Sequence, residues 1–320
     1  MFDLVIIGAG PAGIACGIEA QKAGLNYLIL EKGFLVNSLY HFPTNMTFFS
    51  TSQKLEIGDV PFISHSDKPS RQEALEYYRR IVENYKLNVR FKAEVKDFSR
   101  NNGLHKIHLT SGDIFETRHV IIATGYYGQA RMLGVPGEDL PKVKHYYDDA
   151  HPYIGMNILV IGAANSACDV ALETWQKGAH VTMVIRENQL YQKVKYWILP
   201  NIENRIKEGS IKAYFNSSVT EIKEQTVKIK TPDGEVELDN DYVLAMTGYQ
   251  PDFDFMEKAG IQFNDEESYK PIINPETLES NIEGIYLAGV VVSGRNTSEL
   301  FIENTRNHGR IIINHITSTE

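Results

Sequence analysis

The chain has 320 residues, and 32 Lys and Arg against 41 Asp and Glu give it a net charge of −9, with 42% of residues hydrophobic. That length predicts about two domains, each with its own core. The acidic balance argues against nucleic acid as a partner, because phosphate binding needs a basic footprint, and no apolar run nears the ~20 residues that cross a bilayer.

An apolar run at residues 4–7 opens the chain and ends in Gly8-Ala9-Gly10-Pro11-Ala12-Gly13. The first residues lack the basic stretch of an export signal, so a cytoplasmic location is expected. A helix is predicted over about residues 14–23, closed by Gly24, followed by a strand at 27–30 that stops at Glu31. That is β-α-β within about 30 residues. Residues 91–98 and 106–110 alternate like antiparallel strands. Residues 119–125 read as a strand ending in the turn Ala123-Thr124-Gly125. Residues 126–156, rich in Gly, Pro and Asp, read as a connection. The β-α-β pattern then returns. A strand at 158–161 leads into Gly162-Ala163-Ala164-Asn165-Ser166-Ala167, a helix runs to about Lys177 with Gly178 behind it, and a strand at 180–185 stops at Arg186. The two openings lie 154 positions apart, from Gly8 to Gly162, and read as an internal duplication. Residues 226–230 and 236–238 flank Pro232-Asp233-Gly234, a hairpin signal. Further strands are predicted at 241–248 and 285–289, and a last helix from 304 to about 315.

Gly8-x-Gly10-x-x-Gly13 has the spacing that takes a dinucleotide pyrophosphate. The first glycine makes the tight turn, the second lets phosphate approach, and the third lets helix and strand pack closely. The helix N-terminus adds unpaired N–H groups and partial positive charge. Glu31, 18 residues after Gly13, can accept both hydroxyls of a ribose. The second loop, Gly162-x-Ala164-x-x-Ala167, has alanine at two of the glycine positions, with Asn165 and Ser166 as possible extra donors. Its second strand ends in Arg186, with Lys193 and Lys195 close behind. Cations there suit a 2′-phosphate, which an acid would repel. The alternative, three cations on a solvated face, stays open because Glu187 stands beside Arg186. Two sites of different type predict one resident and one exchanging cofactor, FAD and NADPH, with hydride passing between them. Cys16 and Cys168, 152 positions apart, exclude a zinc ribbon and a local dithiol. The histidines form no metal motif, so no metal is expected.

These residues resemble the two-dinucleotide-binding flavoproteins of the thioredoxin-reductase class. The resemblance is carried by Gly8-x-Gly10-x-x-Gly13 with Glu31, Ala123-Thr124-Gly125, the loop from Gly162, and Gly284-Ile285-Tyr286-Leu287-Ala288-Gly289. More closely, the chain resembles the YpdA-type bacillithiol-disulfide reductases. The shared strings include Glu31-Lys32-Gly33, Thr47-Phe48-Phe49-Ser50, residues 54–62, Ala123-Thr124-Gly125-Tyr126-Tyr127-Gly128 and Ala150-His151-Pro152-Tyr153. Further along they include Asn165-Ser166-Ala167, Trp197-Ile198-Leu199-Pro200 and Phe301-Ile302-Glu303-Asn304. The resemblance implies an α/β fold of two Rossmann-like, three-layer domains. A discontinuous FAD domain, 1–125 and 245–320, would hold an inserted NADPH domain, 126–244. It implies NADPH-dependent reduction of a low-molecular-weight thiol disulfide, bacillithiol disulfide or a similar one. The expected partner is that small molecule, with no nucleic acid or membrane, and the expected assembly is a homo-oligomer.

For FAD, the site residues carried over are Gly8, Gly10, Ala12, Gly13, Glu31, Lys32, Val95, Ala123, Thr124, Gly125, Gly289, Val290 and Ile302. For NADPH they are Gly162, Ala164, Asn165, Ser166, Ala167, Arg186, Lys193 and Lys195. Three departures stand out. His145-Tyr146-Tyr147-Asp148 fills the place of the wider class's C-x-x-C, Ala12 replaces the cysteine common in the YpdA-type loop, and Val290 stands where the wider class has Asp. The catalytic candidates are Glu303 and Asn304, at a helix start expected to face the flavin, His151 and His308 as proton donors, and Cys16, about one turn beyond Ala12. Each has a plain structural alternative in packing or capping. Rival functions are a ferredoxin or flavodoxin–NADP reductase, a flavin monooxygenase, and a non-catalytic redox sensor holding both cofactors.

Overall fold

The computed structural model describes residues 1–101, 103–265 and 267–319. β1 (Phe2–Ile7) runs into α1 (Pro11–Lys22) and back into β2 (Tyr27–Leu30), with β1 and β2 parallel. Pro11 sits where a helix needs no N–H partner, and Gly24, at φ +74°, turns the chain out of α1. α1 is built of small residues because it lies hard on the sheet: a Cβ on Gly17 would come within 2.6 Å of Ile29 Cδ1. A short α2 (Asn37–Tyr40) is followed by α3 (Arg71–Tyr85), which sequence reading had not foreseen. Its marks are nonetheless local: Ser70 and Glu73 form a reciprocal capping box, and Lys86 closes it in the left-handed region.

Next come β3 (Val89–Arg90), β4 (Val95–Asn101), β5 (Leu104–Leu109), β6 (Ile114–Ile122) and β7 (Gln129–Ala130). The strand expected at 91–98 starts only at Val95, because Lys92 adopts φ +51° and interrupts the extended run. The chain continues through β8 (Val143–Lys144), β9 (Asn157–Ile161), α4 (Asn165–Gln176), β10 (His180–Val184), α5 (Leu199–Lys207) and β11 (Lys212–Tyr214). After these lie β12 (Ser218–Ile222), β13 (Thr226–Thr231), β14 (Gly234–Asp239) and β15 (Tyr242–Ala245). The return consists of β16 (Tyr249–Gln250), α6 (Phe253–Lys258), β17 (Ile285–Leu287), α7 (Ile302–Thr305) and α8 (His308–Thr319). The single last helix expected from 304 is therefore two helices.

The chain divides into two compact units. Met1–His41, Asn45–Gln129 and Tyr249 onward form the first; Phe42–Thr44 and Ala130–Gly248 form the second. The sequence-based cuts stood at 125/126 and 244/245; the units exchange chain at 129/130 and 248/249. In the first unit the strand order is β3-β2-β1-β6-β5-β4, with β17 also on β6. β6 changes partner along its length: its first half pairs antiparallel with β5, and Val120–Ile122 pairs in parallel with β17. Val5, Ile7, Leu28, Leu30, Val120, Ile122, Ile285 and Leu287 share one apolar cluster with Phe253 and Met256 of α6.

In the second unit the parallel order β11-β10-β9-β15-β8 is buried on both faces. Ile158, Val160, Val181 and Met183 pack with α4, while Leu159, Ile161, Val184 and Val243 pack with the antiparallel sheet β12-β13-β14. Two-sided burial explains why β9 and β10 are nearly continuous apolar runs. β8, inside the segment expected to be a plain connection, extends this sheet beside β15. The units are α/β and Rossmann-like.

α8 packs on α1 in the first unit, and Gly309 makes the contact possible: a Cβ there would lie 2.9 Å from both Cα and N of Cys16. Replacing Gly309 by Ala adds intrinsic helix stability of about 1 kcal/mol, but overpacking costs about 1–3 kcal/mol. Gly309→Ala is expected to lower the urea unfolding midpoint. A raised midpoint would mean that α8 has room to move away from α1.

Candidate functional site

In the first unit the loop from β1 into α1 is shaped by what glycine lacks. Gly8, at φ +109°, would put a Cβ 2.5 Å from the Ala123 carbonyl oxygen, and a Cβ on Gly13 would fall 1.9 Å from the Gly8 oxygen. Both are glycines because the loop is folded on itself. Gly10 differs: nothing lies within 4 Å of its missing side chain. Its open side is where a ligand can come close to backbone. Gly10 caps α1 without any side-chain hydrogen bond, so the first-turn amides face that side without a cap.

Glu31, only 6% exposed, spans the loop from the end of β2. One carboxylate oxygen accepts the Ala9 N–H and the other the Gly33 N–H, each at 2.8 Å. Each oxygen keeps a lone pair for a hydroxyl donor. Lys32 beside it is exposed. Ala123 N–H bonds the Ile7 carbonyl at 2.8 Å, so the turn after β6 sits against the loop, and Gly125 leaves it at φ +71°. Thr124 Oγ1 is buried there without a hydrogen-bond partner among the described residues. A Cβ on Gly289 would meet the Ala12 methyl at 2.8 Å. Val290 follows in the same turn of 3-10 helix, Gly289–Ser293, against which α7 packs with Ile302 at its start. Val95 opens β4 and pairs with Leu109. The open Gly10, the orphaned Thr124 hydroxyl and the buried Glu31 carboxylate fit a dinucleotide.

The catalytic candidates fare differently. Asn304 caps α7: its Oδ1 accepts the Phe301 N–H at 2.6 Å and its Nδ2 donates to the Glu299 carbonyl at 3.0 Å. Glu303 lies 3.7 Å from Lys54 Nζ and is partly exposed. His308 Nδ1 accepts the Gly289 N–H at 3.1 Å, and burial pushes its pKa down to about 4, so it holds no spare proton at neutral pH. Cys16 is wholly buried under α8, and burial pushes its thiol up to about 12. As placed, it cannot meet a disulfide, because the thiolate is the nucleophile. Cys168 is buried, with its thiol also pushed up to about 12. His151 lies on the surface of the second unit, its backbone N–H donating to Asp149 Oδ1 at 2.8 Å. Sequence reading missed the His308–Gly289 bond, which joins positions 19 residues apart with no motif to mark it.

In the second unit, Gly162 adopts φ +131°, and a Cβ there would lie 2.6 Å from the Met246 oxygen. Ala164 caps α4 with no side-chain hydrogen bond, and Ala167 is buried behind it. Ser166 is exposed at the first turn. Arg186 follows β10 with its side chain 82% exposed, 3.6 Å from Glu187. Lys193 is exposed as well. Both can serve a phosphate.

Lys195 is placed differently from Arg186 and Lys193, in an ion pair with α4. Its side chain is 11% exposed and its ammonium bonds Asp169 Oδ2 at 2.8 Å, while its backbone N–H bonds Asn165 Oδ1 at 2.9 Å. Proximity in sequence to Arg186 did not reveal that the intervening strap folds back over α4. Among the described residues, no group of three or more His, Cys, Asp or Glu could hold a metal ion, and no helix is long and apolar enough to cross a membrane.

Residues 5–289 match the pyridine nucleotide-disulphide oxidoreductase family. The chain is 43% identical over 317 residues to a bacilliredoxin reductase Bdr of Bacillus subtilis (strain 168), covering 99% of this chain and 98% of the relative. The solved bacillithiol disulfide reductase Bdr (YpdA) of Staphylococcus aureus superimposes with a TM-score of 0.97 at 44% identity, covering 100% and 99% of the two chains. Its counterpart from Bacillus cereus gives 0.97 at 41% identity, with the same coverage. Thioredoxin reductases share the fold at lower identity.

The His308 geometry has a consequence in acid. The unfolded chain takes up this proton near the ordinary 6.5, the folded chain only near about 4. Stability is therefore lost as pH falls through that window and is untouched above it. Burial lowers the pKa of His105 too, adding in the same sense. His308→Asn, whose amide oxygen can keep the Gly289 bond, is expected to flatten part of the fall in urea midpoint. An unchanged pH slope in the variant would show that another group titrates.

Proposed function

The chain belongs to the pyridine nucleotide-disulphide oxidoreductase family, and on that premise we propose that its substrate is bacillithiol disulfide or a similar low-molecular-weight thiol disulfide. It is an NAD(P)H-dependent flavoprotein disulfide reductase that uses FAD and NADPH. The support for bacillithiol is the near-complete coverage of reductases that act on it, at 41–44% identity. The ferredoxin reductase, monooxygenase and sensor readings have less support.

The observation that carries the cofactor assignment is the contrast between two like-built loops. In the first unit a buried carboxylate, Glu31, closes the second strand; in the second an exposed guanidinium, Arg186, does so. Glu31, held by the Ala9 and Gly33 amides, is the ribose acceptor for FAD, while Gly10 and the first turn of α1 take the pyrophosphate. Gly8 and Gly13 shape the loop, Thr124 offers its hydroxyl, and Ala12 and Gly289 close its far wall. Lys32, Val95, Ala123, Gly125, Val290 and Ile302 complete this reading as neighbours of the cofactor. In the second unit Gly162, Ala164, Ser166 and Ala167 form the NADPH turn, and Arg186 and Lys193 bind the 2′-phosphate. When bound, the flavin supplies two-electron transfer between the pyridine nucleotide and a disulfide.

No thiol of this chain takes part. Both cysteines are buried, lie in different units, and hold their protons. The proposed location is the cytosol, where thiols stay reduced.

The Cys16→Ala, Cys168→Ala double variant is expected to oxidise NADPH with bacillithiol disulfide at near wild-type kcat. Turnover by wild type that vanishes in the variant, with flavin still bound, would restore a cysteine route. Rapid reduction of ferredoxin with none of the disulfide would move the protein to the rival class. Arg186→Ala should raise KM for NADPH by about tenfold or more, the cost of ~1.4 kcal/mol, with little change for NADH. Equal rises for both would take Arg186 out of the 2′-phosphate site.

A further inference from the structure

We propose that Lys195 is a positioning residue for the pyridine nucleotide: it clamps the 187–198 strap onto α4 and orients the Asn165 amide as a phosphate donor. The inference rests on the NADPH reading of the second unit. Asn165 and Asp169 are four residues apart on α4, so their side chains lie on one face, one turn apart. Lys195 holds both. Its backbone N–H donates to Asn165 Oδ1 at 2.9 Å, and its Nζ donates to Asp169 Oδ2 at 2.8 Å. The strap is fixed at a third point, where the Tyr191 N–H bonds the Ala163 carbonyl of the nucleotide loop at 3.0 Å. Leu190 and Val194 anchor it in the core around α4.

The first of these bonds settles the orientation of the amide. Only an oxygen can face the Lys195 N–H, so Oδ1 is turned to the strap and the NH2 group is turned away from it. Asn165 is the first residue of a helix that has no side-chain cap. On this inference its two N–H bonds join the amides of the first turn of α4, where an anion is favoured. Lys195 contributes no charge to the phosphate. Its charge faces Asp169, and its main chain sets the donor. Lys193, two residues earlier on the same strap, is left exposed.

Asn165→Asp separates donor from latch. Aspartate can still accept the Lys195 N–H, and a carboxylate at a helix N-terminus is tolerated, but an anionic oxygen then replaces the NH2 group. Titration calorimetry of the flavin-loaded protein with NADP+ is expected to show a Kd raised at least about tenfold, ~1.4 kcal/mol, with bound flavin and Tm unchanged. Lys195→Met keeps the N–H and the stem but frees the strap from Asp169, and a Kd rise of about threefold or more is expected, with recovery in Lys195→Arg. If wild type binds NADP+ and Asn165→Asp binds it equally well, Asn165 is a latch only and the inference fails. If wild type itself binds no NADP+, the NADPH reading of this unit fails, and the inference with it.

Discussion

The two helices that follow the glycine-turn loops, α1 and α4, begin without a side-chain cap, and both loops are built around that. α3 has a complete capping box from Ser70 and Glu73, and α6 has Asp252 accepting from Phe255. α1 begins at Gly10 and α4 at Ala164, and neither has a side-chain hydrogen bond. Leaving a cap out costs about 1 kcal/mol at an alanine such as Ala164, and only a few tenths at a glycine such as Gly10. In each case the strand before the helix and the glycine at its end bring the bare amides to an open position. The cost is offset when an anion is bound, because the same amides become its ligands. The tight packing beneath, from Gly13 on Gly8 and from Gly162 on Met246, keeps the bare turn from relaxing.

What was legible in the sequence follows the range of the forces involved. α1 and α4 were located to within a few residues, since an apolar strand, a glycine turn and a small-residue helix are all local patterns. The β13–β14 hairpin was legible for the same reason, with the turn at Pro232-Asp233-Gly234. β8 was not. Two residues in a Gly- and Pro-rich stretch become a strand only because β15 offers them an edge. The break between α7 and α8 was equally hidden. Arg306, between them, reaches back to the Gln53 carbonyl at 2.9 Å, a contact 253 positions away. α3 is the exception, a local signal in Ser70 and Glu73 that could have been found.

The candidate site divides along the same line. Glycine positions and the strand-end residues, Glu31 and Arg186, stood out because backbone geometry and charge demand particular residue types there. For Lys195, His308 and Cys16 the sequence leaves two readings open, because a titratable residue near a loop can serve the loop or support it. Which it does is decided by contacts made elsewhere in the chain. Lys195 is held by Asp169 and His308 by Gly289, and Cys16 is covered by α8. In all three the group is taken up by burial or pairing, which is the commoner fate of such groups inside a fold.

The contrast between Glu31 and Arg186 also bears on how the two cofactors behave. Glu31 is buried, and both its oxygens are held by main-chain amides, so no side-chain entropy is lost when it accepts a hydroxyl. A preorganised, desolvated acceptor favours slow dissociation, which suits a group that stays bound. Arg186 is largely in solvent and meets only Glu187, at a distance where an exposed pair contributes little. As the proposed phosphate ligand, its guanidinium would be ordered by each phosphate that arrives and released when that phosphate leaves. That suits a nucleotide exchanged at every turnover. On the proposed reading the same strand–loop–helix frame would serve a resident and a visitor, and what differs is how much of the ligand's ordering the protein has already done.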